Sequence, residues 1–340
     1  MSLINLFYKL KNNNKGSVIV FTALAMTVIV GFTALVTDVG LLYFNRVRLS
    51  NAADAAALAG AQSLALSKPE EAEYSAKYYA QKGIDIPEDN VDIDVDPENK
   101  LVTVTLNKEV FLCFARVLNI SSSNVAATAR ATYEYPTKVT NISKGNVFPL
   151  FITELIYEKV INEDGSIDED ATIELMGDSP GNKDEEDGFV KITKENGEEE
   201  SFPGNWGALH FGDDNFTPAL EGTLNKAVDL EEGEWHEDGT KTGTMGGEVR
   251  DAVDHRLENI DVLTYGLIPI VDIAEDKGGG KIEVRIKSFA VLEVQGTEKD
   301  SPGWTIIANL VDGKCIADFM GETTSDDDHD YGARVLRLID

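Results

Sequence analysis

Hydrophobic and polar positions divide this chain into three regimes. The run SVIVFTALAMTVIVGFTALVT, from Ser17 to Thr37, contains no charged residue. At about 1.5 Å of rise per residue it predicts a helix of roughly 30 Å, the thickness of a bilayer's hydrocarbon core. From Leu41 to Leu66 alanine is abundant and proline is absent. The same helix is therefore predicted to continue beyond Asp38 to about Leu66. Small residues at Ala52, Ala56 and Ala59 or Gly60 share a face. That face either packs on the chain's own body or admits a second helix at close range.

The second regime follows Pro69. PEEAEYSAKYYAQK reads as a helix with acids in its first turn and Gly83 as its stop. VDIDV and LVTVTL alternate apolar and polar residues about the turn DPENK and predict a hairpin. FLCFARVLN returns to helical spacing, and VAATARATY to a strand. After Tyr135-Pro136 short apolar runs alternate with acidic, glycine-rich loops: VFPLFI, ATIELM, GFVKIT, WGALHF, TYGLIPIVDIA, KIEVRIKSFAVLEVQG and WTIIANLV. Gly278, Gly279 and Gly280 read as a hairpin turn. One helix is predicted at Gly247–Asn259, with Val249, Val253 and Leu257 on one face. The expected fold is α+β: a long apolar helix extended outside the membrane, a small α/β domain, and a β-rich sandwich or barrel. The expected divisions are 1–16, a basic leader; 17–67, the span and its extension; 68–135, the α/β domain; and 136–340, the acidic β-rich domain.

Charge sharpens this picture. The 340 residues carry a formal charge of -30. Residues 1–49 hold Lys9, Lys11, Lys15, Arg46 and Arg48 against Asp38, a net of +4, which leaves -34 for the remainder. Such an acidic body repels phosphate backbones and excludes nucleic acid as a partner. The basic leader places the amino terminus in the cytoplasm and the acidic body outside, extracellular or periplasmic. Cys113 and Cys315 have no metal-ligand spacing; one long-range disulfide and two free thiols both remain open.

Lys15-Gly16-Ser17-Val18, the apolar span, Asp38-Val39-Gly40, Arg46-Val47-Arg48-Leu49 and the alanine tract from Asn51 to Ala59 together resemble the amino-terminal region of TadE/TadG-like proteins. These are associated with assembly of Flp-type tight-adherence pili. LVTVTL, FLCFARVLNI and NVAATARATY are similar to the strand, short helix and strand that often follow in that family. The resemblance implies a non-enzymatic envelope component whose partners are the membrane and other pilus-assembly subunits, with self-association through the amino-terminal helix as a further expectation. It marks Asp38, Arg48, Ala53 and Asp54 as motif positions. Separately, Lys15-Gly16-Ser17 has the basic-then-glycine look of a prepilin leader junction, with Gly16-Ser17 as the candidate cleavage site. Phe21 stands where mature pilins commonly carry glutamate, so a permanent anchor is the leading reading over pilin-like or ordinary signal cleavage.

Candidate chemistry is sparse. No nucleophile elbow, phosphate loop or zinc spacing occurs, and no catalytic residue is assigned. Two oxygen-rich loops carry Asp164 and Asp168, and Asp326, Asp328 and Asp330. Each reads either as a solvated acidic turn or as a calcium site; no other cofactor is expected. The alternative function is a membrane-tethered cell-surface module that binds a ligand or calcium, with Trp206, Trp235 or Trp304 converging on a pocket.

Overall fold

The computed structural model describes residues 14–82, 84, 86–140, 147–162, 166–176, 189–203, 206–209, 216–222, 230–241, 247–259, 264–278, 281–299, 303–313 and 321–339. Helix α1, Asn14–Ala65, is 52 residues long, about 78 Å at the α-helical rise. From Val18 to Thr37 its residues are exposed on all sides, apart from a half-buried Ala34. The hydroxyls of Thr22, Thr27, Thr33 and Thr37 each donate to the carbonyl four residues back, at 2.8–2.9 Å. From Val18 to Thr37 α1 therefore presents no unsatisfied hydroxyl to its surroundings, as a lipid environment requires.

From Leu49 onward α1 turns one face inward. Leu49, Ala52, Ala53, Ala56, Ala57, Ala61 and Leu64 are buried. α1 ends in a left-handed residue, Ser67, at φ 56°. There the Ser67 and Lys68 amides donate back to Leu64 and Ser63, a helix-closing pattern. Pro69 then opens α2, Pro69–Lys82, whose Glu70 and Glu71 sit in the first turn and Lys82 in the last, in accord with the helix dipole. Ala72, Ala76 and Ala80 of α2 are buried against α1, and Ser63 and Ser75 share a hydrogen bond of 2.8 Å. The small-residue face of Ala52, Ala56 and Gly60 is thus covered by the chain itself.

The two helices rest on a first sheet. β1 (Val91–Asp96), β2 (Leu101–Phe111) and β3 (Ser122–Val139) run in order and antiparallel. Val102, Val104, Leu106 and Val110 alternate inward on β2, facing the alanine surface of α1. The segment expected to be helical at FLCFARVLN instead continues β2 to Phe111 and then makes one 3-10 turn, Ala115–Leu118. Leu112 alone of its large apolar side chains is buried; Phe111, Phe114, Val117 and Leu118 are exposed, so the helical spacing there has no core to serve. β3 passes without a break through Tyr135-Pro136; the proline sits where the register with its neighbour shifts, as its missing N–H requires. Three later strands pair with β3: β9 (Leu230–Glu231), β14 (Gly321–Thr324) and β15 (Val335–Ile339).

The second sheet contains β4 (Leu150–Thr153), β5 (Thr172–Met176), β6 (Phe189–Thr193), β7 (Glu199–Pro203), β8 (Trp206–Leu209), β10 (Trp235–Lys241), β11 (Tyr265–Gly278), β12 (Lys281–Lys299) and β13 (Trp304–Leu310). Its order is β10-β8-β4-β11-β12-β13-β5-β6-β7, and β10 also pairs with β12. That extra pairing closes β10, β8, β4, β11 and β12 into a ring. The later half of β12 carries β13 and the open hairpins beyond it. The hairpin expected about Gly278–Gly280 pairs Gly278 with Lys281; Gly279 and Gly280 lie outside the described residues.

β11 and β12 are buried on both faces. Leu267, Phe289 and Val291 enter one core, while Ile268, Ile270, Ala290, Leu292 and Val294 enter another. This is why their sequences are nearly continuous in apolar residues rather than alternating. Among the described residues three further α-helices follow: α3 (Glu154–Lys159), α4 (Phe216–Glu221) and α5 (Gly247–Glu258). On α5, Val249, Ala252, Val253 and Arg256 are buried, whereas Leu257, expected on that face, is 37% exposed. Arg256 takes the inward position because its guanidinium donates to the carbonyls of Leu220 (2.7 Å) and Ala219 (3.2 Å) near the end of α4 and lies 4.2 Å from the centre of the Phe148 ring. Buried carbonyls at a helix end are good partners for a cation.

Gly60 marks a close approach of α1 to α2 and β2. A Cβ there would lie 2.8 Å from Val102 Cγ1 and 3.3 Å from both the Ala72 carbonyl and Ala76 Cβ. Gly60→Ala gains about 1 kcal/mol of helix propensity, but overpacking costs roughly 1–3 kcal/mol. The expected result is a net loss of about 1 kcal/mol for alanine and more for valine, measured by denaturant unfolding in detergent.

Candidate functional site at the helix junction

The feature that joins membrane helix to body is the Asp38 carboxylate. It is 6% exposed and accepts three successive backbone N–H groups. Cys113 N–H donates to Oδ1 at 2.8 Å, Phe114 N–H reaches both oxygens at 3.2 and 3.0 Å, and Ala115 N–H donates to Oδ2 at 2.6 Å. These donors begin the 3-10 turn, where backbone amides have no partner within the turn. An ionised acceptor makes such bonds shorter and stronger than a neutral one. Leu112 N–H donates to Ser121 O at 3.0 Å, and Asn119 closes the turn in a left-handed conformation at φ 64°. The connection from β2 to β3 is thereby held in one shape at the level of Asp38.

The other motif positions lie along the same helix but do not converge with Asp38. Arg48 is exposed, stacks at 5.7 Å on Phe44, and with Asn51, Tyr79 and Lys82 lines an open pocket of about 370 Å³ between α1 and the end of α2. Ala53 is fully buried. Asp54 is half-buried. Gly16 and Ser17 fall in the first turns of α1.

At its far end α1 is fastened again. Arg334 is 5% exposed; its guanidinium donates to the carbonyl of Ala65 and pairs with Asp330 at 3.0 Å and Asp312 at 3.3 Å. Its charge centre lies 5.2 Å from the Tyr133 ring centre. Gly313, at φ +60°, lies so close to Ala65 that any Cβ would collide with that carbonyl. Nothing in the local pattern around Gly-Ala-Arg-Val marks Arg334; the Asp312-Gly313 dipeptide is the one turn signal that points to this contact.

The acidic loop at Asp326–Asp330 lies beside this second fastening. Asp326 accepts the Asp328 N–H at 3.2 Å and caps the short 3-10 turn Asp327–His329. Asp327 pairs with Lys100, Asp330 pairs with Arg334, and the Tyr135 hydroxyl lies 3.0 Å from Asp327 Oδ1 and 3.1 Å from Asp330 Oδ2. Asp328 is exposed. Lys100 and Arg334 thus place protein cations against Asp327 and Asp330. In the earlier loop Asp168 N–H donates to Val160 O at 2.8 Å and Asp168 Oδ1 accepts from Asp170 N–H at 3.2 Å; Asp164 lies outside the described residues. Among the described residues no group of three or more His, Cys, Asp or Glu side chains is arranged to hold a metal ion.

Cys113 is a free, exposed thiol, and Cys315 lies outside the described residues. Trp235 is 47% exposed and stacks with Arg285; Trp304 packs against the larger core and stacks with Arg250. Their β12 partners are Arg285 and Lys299, 14 residues apart, or about 45 Å along the strand. The two rings do not share a pocket. The Trp206 side chain lies outside the described residues.

These features define a class: an α+β protein with, among the described residues, one helix long and apolar enough to cross a membrane, fastened to its body at two points. Residues 16–63 match the Tad family model, whose description reads "Putative Flp pilus-assembly TadE/G-like". The chain carries a TadE/G-like amino-terminal segment, and the match takes in the span, Asp38 and the alanine face. That segment and its apolar helix support a membrane-anchored, Flp/Tad pilus-associated protein. No curated protein and no solved structure matches the chain.

Two outcomes check the fastenings. Asp38→Ala is expected to speed amide exchange at residues 113–115 while leaving the paired amides of β2 and β3 protected; Asp38→Asn is expected to fall between. The second concerns pH. Lys100, first by its hydrogen bond, holds the Asp327 carboxyl below its ordinary value of 3.8. A depressed acid stabilises the fold above that value and loses the contribution as pH falls through its folded value. Lys100 also stacks on Tyr135 at 4.6 Å. Lys100→Met is expected to cost about 1–2 kcal/mol at neutral pH. The gap from the parent should narrow below pH 3.8, where Asp327 takes up its proton.

Proposed function

We propose that the protein is a non-enzymatic, membrane-anchored component of a bacterial Flp/Tad-type pilus-assembly apparatus. The observation that carries this reading is a coincidence of two boundaries. The segment that matches the pilus-assembly family is the same segment that forms the exposed apolar span, the Asp38 junction and the alanine face. The amino terminus lies in the cytoplasm, and the acidic sheets lie on the outer side as a domain for assembly contacts or adhesion. Other pilus-assembly subunits are the partners. Self-association runs through the exposed apolar half of α1, since the small-residue face is already covered by α2 and the first sheet. A permanent anchor is favoured over cleavage between Gly16 and Ser17.

Two measurements test it. The intact chain is expected in the membrane fraction, with external protease removing the acidic body; recovery of the intact chain from the cytoplasm overturns the reading. Deletion in the source cell is expected to abolish or sharply reduce Flp-type surface filaments, and unchanged filament number and length count against the pilus role. The mass of the mature amino terminus separates a start at Ser17 from an uncut anchor.

A further inference from the structure

We propose that the β2–β3 connection is a second membrane-contacting element, an apolar foot that dips into the lipid interface beside α1. It rests on the reading of α1 as a membrane span. Phe111, Phe114, Val117, Leu118 and Ile120 are exposed by 60%, 44%, 88%, 76% and 50%. So dense a group of large apolar side chains on water-facing surface is costly and marks a contact.

Three features of the molecule identify lipid as the occupant. The first is position. The Asp38 carboxylate, one residue past the uncharged run, is bonded directly to the amides of Cys113, Phe114 and Ala115. The foot therefore sits at the level where α1 leaves the hydrocarbon. The second is continuity. The exposed apolar surface of α1 does not stop at Asp38 but runs on through Val39, Tyr43 and Phe44. Tyr43 lies five residues beyond, about 7.5 Å along the helix, within the headgroup layer. Aromatic rings are favoured at that depth.

The third is charge. In a chain of net charge -30, the segment from Val110 to Ser121 holds no acid and one base, Arg116. The Arg116 guanidinium lies 6.0 Å from the Phe111 ring centre. A long basic side chain beside apolar ones suits the boundary between acyl chains and phosphates. The foot is not a loose loop that happens to be apolar. The Asp38 bonds, the Leu112–Ser121 bond and the left-handed Asn119 hold its side chains outward. With α1 it gives the body two points of contact with the bilayer, which restricts the tilt and rotation of the body about the helix axis.

The test uses the full chain reconstituted in liposomes, in a Cys113→Ser, Cys315→Ser background. An environment-sensitive fluorophore is attached singly through Leu118→Cys on the foot, Val28→Cys in the span, or Glu322→Cys on β14. Lipids with brominated acyl chains are the quencher. Labels at 28 and 118 are expected to emit at shorter wavelength and to lose most of their emission on bromination, while the label at 322 keeps its own. A quenched label at 28 with an unquenched, water-like label at 118 overturns the proposal while leaving the span reading intact. A blue-shifted but unquenched label at 118 assigns the face to a second copy of the chain and overturns it. Equal quenching at all three positions indicates adsorption of the whole body and overturns it, and no quenching at 28 or 118 removes the span together with the foot.

Discussion

The carboxylate of Asp38 sets how the β2–β3 connection of the body meets the emerging helix. A helix passing from lipid into a folded domain must change what its surface offers within one turn. On the lipid side every face is apolar, and the hydroxyls of Thr22, Thr27, Thr33 and Thr37 are turned back onto their own helix. On the other side one face must bury and the rest must meet water. Asp38 stands at that change, and its charge is compensated by three aligned amides rather than by a basic side chain. Amides of this kind are fixed by the backbone, so the acid defines a position and an angle as well as an attachment.

Between Asp38 and Ala65 the helix acts as a strut clamped at both ends. Its inner face is built from alanine and one glycine, which lets α2 and β2 approach until Gly60 has no room for a methyl group. Close approach compensates for small side chains, because contact area depends on fit as well as on side-chain size. At the far end the Ala65 carbonyl meets both Arg334 and the backbone of Gly313. Gly313 follows β13 of the second sheet, and Arg334 precedes β15 of the first. One helix end thus contacts both sheets, and the chain's last strand returns to β3 beside it.

The acidity of the body has a specific local organisation. Around Asp326–Asp330 carboxylates cluster densely, yet Lys100 and Arg334 lie among them and Tyr135 bridges two of them. Burial raises the Tyr135 hydroxyl well above its ordinary range, which keeps it protonated, its one O–H shared between the two acids. Two cations, Lys100 and Arg334, are thus placed against Asp327 and Asp330 within this acidic loop.

Much of the architecture could be read from local pattern, because periodicity records which face a segment buries. The span, its continuation to Ala65, the helix after Pro69, the hairpin of β1 and β2, and the paired apolar strands β11 and β12 were all legible in this way. The turn at Ala115–Leu118 was not, because helical spacing implies a core and here the same residues face outward. Leu257 was misplaced for a related reason: Arg256 has hydrogen-bond partners 36 and 37 residues away that outweigh its polarity. The two fastenings of α1 join residues 75 and 269 positions apart. A carboxylate or guanidinium carries no local mark of a backbone group that distant. Composition and periodicity were enough to locate the membrane helix and to class the body as α+β. Which amides Asp38 holds, and which apolar residues are left facing outward beside it, followed from chain closure, since only folding brings segments so far apart in sequence within hydrogen-bond reach.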